Sequence, residues 1–334
     1  MADEQLERLA TQAWLYGYPL VTAAVTKDVM TAVAARDDER RKGPVNQFCY
    51  MHHTPDPTFT EVVSPNADTL YSSAWLDLST EPLVLSLPDF GDRYWMVPIL
   101  NAWSDVVGAP GCRQDGSTAG PFLLAGPSWS GQAPQGMTVL KSSTAINWII
   151  DRYAAAGPSD YAAVHLLQDG NRLTPLSRWT GDPEEYTPPS DVSVAGGFDA
   201  VAAPVSQVHR LSGRTYFARL NQLLVDNPPN PADAASSRAR DQLLGSTPAP
   251  TGGWSQRIES PPIPERFALG QVRPTVLVHY GSPLTTLAGQ DVLDKAEDVV
   301  LGRRLRAGAG AAEVHLSGQY RRVCPSRPAR HRVG

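Results

Sequence analysis

The chain has 334 residues, of which 42% are apolar and only 19% are charged, with a formal net charge of −5. This composition excludes disorder driven by charge repulsion, and a chain of this length can bury enough surface for one or two domains. The small acidic excess lacks the basic surplus that attracts nucleic acid or anionic lipid. Neither is therefore expected as a partner.

Proline is the compositional outlier, with 30 residues beside 27 glycines. Because proline disrupts helix interiors, this content favours short elements joined by many turns, and therefore a β-rich body. Cys49, Cys112 and Cys324 leave one thiol over in any pairing and have no metal-ligand spacing. We therefore expect neither a disulfide framework nor a metal site.

Motifs that bind cofactors are missing from the sequence. There is no Gly-x-Gly-x-x-Gly, no phosphate-binding loop and no His-Glu-x-x-His, so no cofactor is predicted. The segment Gly126–Gly131 resembles the nucleophile elbow of a hydrolase only in part, because Ser130 stands two residues after Ser128, where glycine is required. A hairpin turn is the better interpretation of this segment.

The N-terminal segment, residues 1–43, predicts a helix over residues 4–35, because apolar residues recur at steps of three and four. Pro19 predicts a kink or a restart, since proline cannot donate a backbone hydrogen bond. The acidic start is unlike a secretory signal. Gly17 and Pro19 interrupt the apolar stretch 10–25, which is too short and too polar to span a bilayer. We expect a cytoplasmic protein with no membrane span.

From about residue 62 to residue 152 the apolar period changes to two, which indicates strands. In Thr69–Leu78, apolar residues alternate with polar and aromatic ones, as in a half-buried strand. The other predicted strands are Leu83–Leu87, Tyr94–Asn101, Phe122–Ala125, Thr138–Lys141 and Ala145–Arg152. We therefore predict a mainly β protein with helical connectors, of the α+β class. Its body is expected to be an antiparallel sandwich or a jelly-roll-like arrangement after a kinked N-terminal helix.

The rest of the chain divides at changes in composition. Residues 44–155 form the predicted β-rich domain. Residues 156–245 form a linking segment of loops and helices, with helices predicted at Tyr161–Gln168 and Arg214–Val225. Residues 246–334 are rich in arginine, proline and glycine, and we predict a disordered or aberrant Arg-rich tail there.

Polar and aromatic residues concentrate at the ends of the predicted strands. Asn66 and Asp68 precede the first long strand, Tyr71 lies within it, and Arg93 and Tyr94 begin another. Asn66 and Asp68 either shape a turn with their own backbone or point into a pocket. An amide, a carboxylate and a phenol close together can orient a polar ligand or transfer a proton. We predict these five as ligand-binding residues, with Asp68 and Tyr71 also as candidates for catalysis.

The roles of Arg93 and of the two adjacent histidines, His52 and His53, leave alternatives open. Arg93 either pairs with Asp77 or Asp92, or offers its planar fork to a carboxylate or phosphate ligand. His52 and His53 are adjacent, so on an extended chain they point to opposite faces and do not share one metal ion. His53 is kept as a third candidate for proton transfer.

Two strings carry a resemblance to a known family. They are Ala13-Trp-Leu-Tyr-Gly-Tyr-Pro19 and Val63-Ser-Pro-Asn-Ala-Asp-Thr-Leu-Tyr-Ser72. Shorter matches follow at Trp75–Leu78, Glu81–Pro82, Arg93–Tyr94, Tyr161–Gln168, Leu173–Leu176 and Tyr216–Asp233. The chain resembles a bacterial two-domain family that pairs the domains of unknown function 1254 (N-terminal) and 1214 (C-terminal). The resemblance covers about residues 5–240 and implies a β-rich fold with helical connectors, but no established reaction.

The resemblance also implies a second β domain after the proline-rich stop at residues 227–231. The recognisable pattern fades at residues 236–245, so only the N-terminal domain and the linking segment are recognisable. We therefore expect a truncated or frame-shifted family member.

The leading hypothesis is an uncharacterised soluble protein that binds a small polar molecule at the strand ends of its β domain, either as a binding protein or as an enzyme of unknown reaction. One alternative is a non-catalytic protein-interaction or envelope-associated protein, whose aromatic sheet face binds a partner. Another is a truncated, non-functional family member. The pattern predicts no specific substrate and no oligomeric state.

Overall fold

The computed structural model describes residues 3–55, 66–117, 120–189 and 197–230, with side chains from residue 10 onward. The predicted tail, residues 246–334, lies outside the described residues. Within the described part no helix is both long enough and apolar enough to cross a membrane.

A single long helix, α1 (Asp3–Met30), opens the described chain. It continues through Pro19 as one helix instead of restarting there. The neighbouring side chains of Leu20 and Val21 are fully buried, and this packing outweighs the one backbone hydrogen bond that proline cannot donate.

Eleven strands and four further helices follow in the described residues. The strands are β1 (Cys49–Met51), β2 (Thr69–Asp77), β3 (Leu83–Ser86), β4 (Trp95–Met96), β5 (Ile99–Asn101), β6 (Val106–Gly108), β7 (Phe122–Ala125), β8 (Thr138–Lys141), β9 (Ile146–Ile150), β10 (Arg152–Ala154) and β11 (Arg172–Pro175). The helices are α2 (Cys112–Asp115), α3 (Tyr161–Asp169), α4 (Pro204–His209) and α5 (Gly213–Asp226).

The strands form two sheets, which confirms the predicted mainly β fold with helical connectors. The larger sheet has seven strands in the order β4-β10-β2-β9-β5-β6, with β1 also paired to β2. The smaller sheet has the order β11-β3-β7-β8. All the pairs are antiparallel except β7 and β8, which run parallel. The segment Gly126–Gly131 therefore begins a crossover connection, and its interpretation as a hairpin turn is wrong.

Several strand bounds differ from the predicted ones. The predicted strand Tyr94–Asn101 is divided into β4 and β5 around Pro98, whose carbonyl accepts from the N–H of Ile150 but which has no N–H of its own to donate. The predicted strand Ala145–Arg152 is divided into β9 and β10 at Asp151. Strands β1, β6 and β11 were not predicted, and β11 lies in the segment that the sequence assigns to loops and helices.

Both faces of the larger sheet are covered. Leu70, Ala74 and Leu76 of β2 face the smaller sheet and join one apolar core. Trp75 points the other way, into a second core formed with α1, α4 and α5, and it stacks on Trp148 with ring centroids 5.3 Å apart. The alternation predicted for β2 is correct. However, the strand is buried on both faces, because the helices cover the face that the sequence pattern leaves to solvent.

Candidate functional site

The strand ends that carry the predicted ligand-binding residues come together at one end of the larger sheet. Strand β10 lies between β4 and β2. The end of this strand binds both neighbours. The N–H of Ala154, its last residue, donates to the carbonyl of Tyr94 at 3.0 Å, and the N–H of the next residue, Ala155, donates to the carbonyl of Asp68 at 2.9 Å. The backbone therefore places Asp68 and Tyr94 on either side of the same strand.

Asn66 shapes the turn that starts β2. Its side-chain oxygen accepts from the N–H groups of Asp68 and Thr69, at 2.8 and 3.0 Å, and its Nδ2 donates to the Thr69 hydroxyl at 2.8 Å. This is an Asx-turn, the first of the two interpretations given by the sequence. The Asn66 amide is thereby used within its own turn.

Arg93 is held by an internal ion pair. Its Nη1 and Nη2 donate to Asp160 Oδ2 and Oδ1 at 2.6 and 2.8 Å, and Nη1 also donates to the carbonyl of Ala154. The partners expected from the sequence, Asp77 and Asp92, are wrong, because the ion pair is made with the residue just before α3. This hydrogen-bonded guanidinium holds the pKa of the Asp160 carboxyl below its usual value.

The other predicted residues lie in different environments. Asp68 and His53 are exposed. Tyr71 is half-buried, with the guanidinium of Arg152 5.4 Å from its ring centroid, and the Tyr94 hydroxyl donates to the sulfur of Met96 at 3.9 Å. The five predicted ligand-binding residues share one end of the sheet, but Asn66 and Arg93 are already bound to the protein itself.

Replacing Arg93 by alanine is expected to lower the free energy of unfolding by about 1–2 kcal/mol, since it removes a two-bond ion pair that is only about one-fifth exposed. Because the pKa of Asp160 is lowered in the folded state, this stabilisation is present above the ordinary aspartate pKa and is lost as the pH falls through the lowered pKa. Urea denaturation measures the change. The exposed Arg113→Ala is the matched control, and an equal effect of both variants would contradict the structural role of Arg93.

A concavity of the described residues lies elsewhere, against β1 and the start of β11. Its volume is about 440 Å³, within the range of small-molecule sites. It is lined by Ala35 and Arg36, Asn46–Phe48, Tyr50, Asn171–Leu173, Glu184 and Tyr186–Pro189. We call this concavity the β1–β11 pocket.

Two arginines and one glutamate give the β1–β11 pocket its charge. The Arg36 guanidinium lies over the ring of Tyr50, 4.6 Å from its centroid, and its Nε is 3.2 Å from the Asp38 carboxylate behind it. Arg172 Nη2 donates to Glu184 at 3.0 Å. The lining thus carries two positive groups and one negative group, and each guanidinium has a neighbouring carboxylate.

The tyrosines of the pocket keep their protons. Burial raises the pKa of Tyr50 to about 12 and raises the pKa of Tyr186. Neutral phenols and the adjoining Phe48 and Pro188 give the walls an apolar character with hydroxyl groups available for hydrogen bonds.

A buried polar cluster lies behind the pocket, where β9 and β10 are divided. The N–H of Ser72 donates to the side chain of Asp151, while the N–H of Asp151 donates to the Ser72 carbonyl at 2.9 Å. A regular antiparallel pair has two backbone hydrogen bonds. Here the acceptor of one of them is the Asp151 carboxyl group and not a backbone carbonyl. Asp151 also contacts Tyr153 and Asn171, at 2.8 and 2.9 Å, and Asn171 is at the same time part of the pocket lining.

Burial dominates the electrostatics of this cluster. Asp151 and Tyr153 are fully buried. Burial raises the pKa of the Asp151 carboxyl to about 7, although hydrogen bonds from Tyr153, the Ser72 backbone and Asn171 oppose that shift. The pKa of Tyr153 is also raised, by burial and by the Asp151 charge.

The sequence pattern did not point to this cluster. Asn147, Ile149, Asp151 and Tyr153 share the face of β9 and β10 that is buried against the smaller sheet. The available signal was Asp151 itself, an acidic residue on the apolar face of an alternating strand. Such a residue needs buried hydrogen-bond partners. Its partner Asn171 lies 20 residues further along the chain and could not be found from local pattern.

Histidines form a separate pair near α3. The rings of His52 and His165 lie 4.5 Å apart between centroids, and His165 Nε2 is 2.9 Å from the His52 carbonyl oxygen. Burial and the neighbouring His165 lower the pKa of His52. Among the described residues no group of three His, Cys, Asp or Glu side chains is arranged to hold a metal ion.

Residues 45–175 match a family model described as "Protein of unknown function (DUF1254)". The matched segment contains all eleven strands, from β1 to β11. This supports an N-terminal domain of unknown function in the chain and indicates no specific activity. None of the curated proteins matches the sequence.

Two solved structures are similar to the chain. The VPA0106 protein from Vibrio parahaemolyticus is 23% identical with a TM-score of 0.49, and the match covers 71% of this chain and 50% of that protein. An uncharacterized protein from Burkholderia cenocepacia is 14% identical with a TM-score of 0.28, and the match covers 73% of this chain and 65% of that protein. The chain thus spans about half the length of the first and under two thirds of the second.

Proposed function

We propose that the protein binds a small molecule with an acidic group and an apolar body in the β1–β11 pocket. The observation that carries the proposal is the position of Arg36, whose guanidinium lies over the Tyr50 ring at the wall of a pocket of about 440 Å³. A guanidinium at this wall offers N–H donors to a carboxylate in the pocket.

The composition of the walls supports this ligand class. Glu184 is paired with Arg172, and Arg36 is paired with Asp38, which lies outside the lining. Phe48, Tyr50 and Tyr186 supply flat apolar surface for the body of a ligand.

Arg36→Ala is expected to weaken benzoate binding about tenfold or more, because a charge-assisted hydrogen bond to the carboxylate is lost. Isothermal calorimetry on the full chain measures the affinity, with benzamide as the uncharged analogue that should bind wild type less tightly. Arg40→Ala is the matched control, since Arg40 lies four residues away with a side chain 77% exposed and outside the lining. Equal benzoate affinity of the two variants would overturn the proposal.

The strand-end residues Asn66, Asp68, Tyr71, Arg93 and Tyr94 provide a second place for a small polar ligand. The convergence of the two strand ends on the backbone of Ala154 and Ala155 favours it. Asp68→Ala should then abolish the protection of the fold by a polar ligand against heating and leave the circular dichroism spectrum unchanged. A loss of folded structure would instead assign Asp68 a structural role.

Two further proposals concern the whole protein. The first is a two-domain arrangement in which a domain of the 1214 type accompanies the matched segment, and the nucleotide sequence of the whole gene tests it. The second is a cytoplasmic location, which cell fractionation tests. A non-catalytic interaction protein is the alternative function, and it predicts capture of a partner on an aromatic sheet face with no benzoate binding.

A further inference from the structure

Three polar side chains behind the β1–β11 pocket form a closed ring of contacts. Asp151 Oδ2 lies 2.8 Å from the Tyr153 hydroxyl oxygen and 2.9 Å from Asn171 Nδ2. The Tyr153 hydroxyl oxygen lies 2.9 Å from Asn171 Oδ1. Each side chain thus contacts the other two at hydrogen-bond distance.

The ring needs one hydrogen for each of its three contacts. Asn171 supplies one N–H, to Asp151, and Tyr153 supplies one O–H, which Asn171 Oδ1 accepts. The remaining contact, between Asp151 and the Tyr153 oxygen, has a hydrogen only if the carboxyl is protonated and donates. An ionised carboxylate would leave two acceptors facing each other in a site without solvent.

The same count holds if the amide of Asn171 is turned over. Its N–H then donates to the Tyr153 oxygen, the Tyr153 O–H donates to Asp151, and Asn171 Oδ1 faces Asp151 Oδ2. That last contact again requires a proton on the carboxyl. The geometry therefore fits the neutral acid in both orientations of the amide.

We propose that Asp151 is a proton-binding site, held as the neutral acid in the folded protein, and that loss of its proton weakens the binding of a carboxylate in the β1–β11 pocket through Asn171. The second half of this proposal rests on the proposed function, whereas the first half stands without it.

Asn171 connects the ring to the pocket. Its side chain belongs to the ring, it lines the pocket, and its carbonyl accepts from Arg172 Nη1 at 3.0 Å. Loss of the Asp151 proton places a negative charge behind the pocket wall. It also removes the hydrogen bond that the carboxyl donates within the ring. Both effects disfavour a bound anion in the pocket.

Three titratable groups lie near Asp151: Tyr153, two residues further along the chain, and Cys49 and Tyr50 on β1. Burial raises the pKa values of Cys49 and Tyr50 to about 12 and that of Tyr153 well above its ordinary value. The charged groups that act on this part of β1 are Arg36, Asp38, Asp169 and Arg172. The ring of His52 lies 6.1 Å from that of Tyr50, and His52→Asn controls for its titration.

Carbon-13 NMR of the full wild-type chain tests the proton site directly. The side-chain carboxyl resonance of Asp151, assigned through its bonds to the backbone, should titrate near neutral pH. A resonance already in the ionised position at about pH 5 would overturn the proposal. No variant has to fold for this measurement.

Benzoate binding at about pH 6 and about pH 8 tests the coupling. Wild type and His52→Asn should lose about fivefold or more in affinity over this interval, and Asp151→Asn should lose none. If benzoate binds wild type equally at both values while Asp151 titrates, the coupling through Asn171 is refuted. If benzoate fails to bind at all, the proposed function is refuted, and the NMR titration still decides whether Asp151 binds the proton.

Discussion

Relative to wild type, the variant Asp151→Asn is expected to gain about 3 kcal/mol of unfolding free energy as the pH rises from about 4 to about 7. In the unfolded chain the carboxyl ionises near its ordinary pKa of 3.8, whereas burial raises the pKa to about 7 in the folded protein. Below the lower value both states hold the proton, so the carboxyl does not penalise folding. As the pH rises, the unfolded state ionises first, and wild type loses stability until the folded state also ionises. Asparagine cannot ionise, so the variant does not lose this contribution.

Urea denaturation of both proteins at several pH values measures this difference. Comparing wild type with the variant removes the contributions of other groups, such as His52 and His209, whose pKa values are lowered by burial. Asp92→Asn is the matched control, because its carboxyl is exposed, and it should follow the wild-type profile. A constant difference between Asp151→Asn and wild type would show that the folded protein does not retain the proton.

Gly126→Ala is expected to lower the free energy of unfolding by about 3 kcal/mol. Gly126 follows the last residue of β7, and a Cβ at this position would lie 2.5 Å from the Leu78 carbonyl oxygen and 3.0 Å from its Cβ. Leu78 cannot retreat easily, because its N–H donates to the carbonyl of Ala145 and its side chain is buried in the core between the sheets. The close contact made by the new Cβ therefore strains the backbone at Leu78, which lies between β2 of the larger sheet and β3 of the smaller one.

The matched control for Gly126 stands at the other end of the same strand. A Cβ on Gly120 would have no atom within 4 Å, and the residue is exposed. Gly120→Ala should therefore change the stability by about 0.5 kcal/mol or less. Thermal denaturation compares the two variants, and similar melting temperatures would show that β7 can move away from Leu78.

The sequence predicted those strands that are long enough, and clearly enough bounded by turn residues, for the alternation of apolar residues to be unambiguous. The bounds of β7 and β8 are as predicted. Glycine and proline flank β7 on both sides, and β8 lies between Gly136 and the serines Ser142 and Ser143. Strands β1 and β6 have three residues each, too few for a period of two to stand out. The parallel pairing of β7 and β8 depends on a crossover that no local pattern encodes.

The candidate site was predicted in part. The turn at Asn66 could be predicted from the sequence, because all the hydrogen bonds of an Asx-turn are made within four residues. The partner of Arg93 was not, since Asp160 lies 67 residues away in sequence and only the pairing of β4 with β10 brings it near. The β1–β11 pocket likewise joins segments that are more than a hundred residues apart, and its residues carry no shared motif.

The long distance between α1 and α5 in sequence has a consequence for synthesis on the ribosome. The Tyr216 hydroxyl donates to the Trp14 carbonyl at 2.8 Å across 202 residues of chain. At a translation rate of about 5–20 residues per second, α1 waits about 10–40 s before its packing partner emerges. During that time its apolar stripe is available to chaperones, and a nascent chain that stalls before α5 exposes the very surface that the finished protein hides.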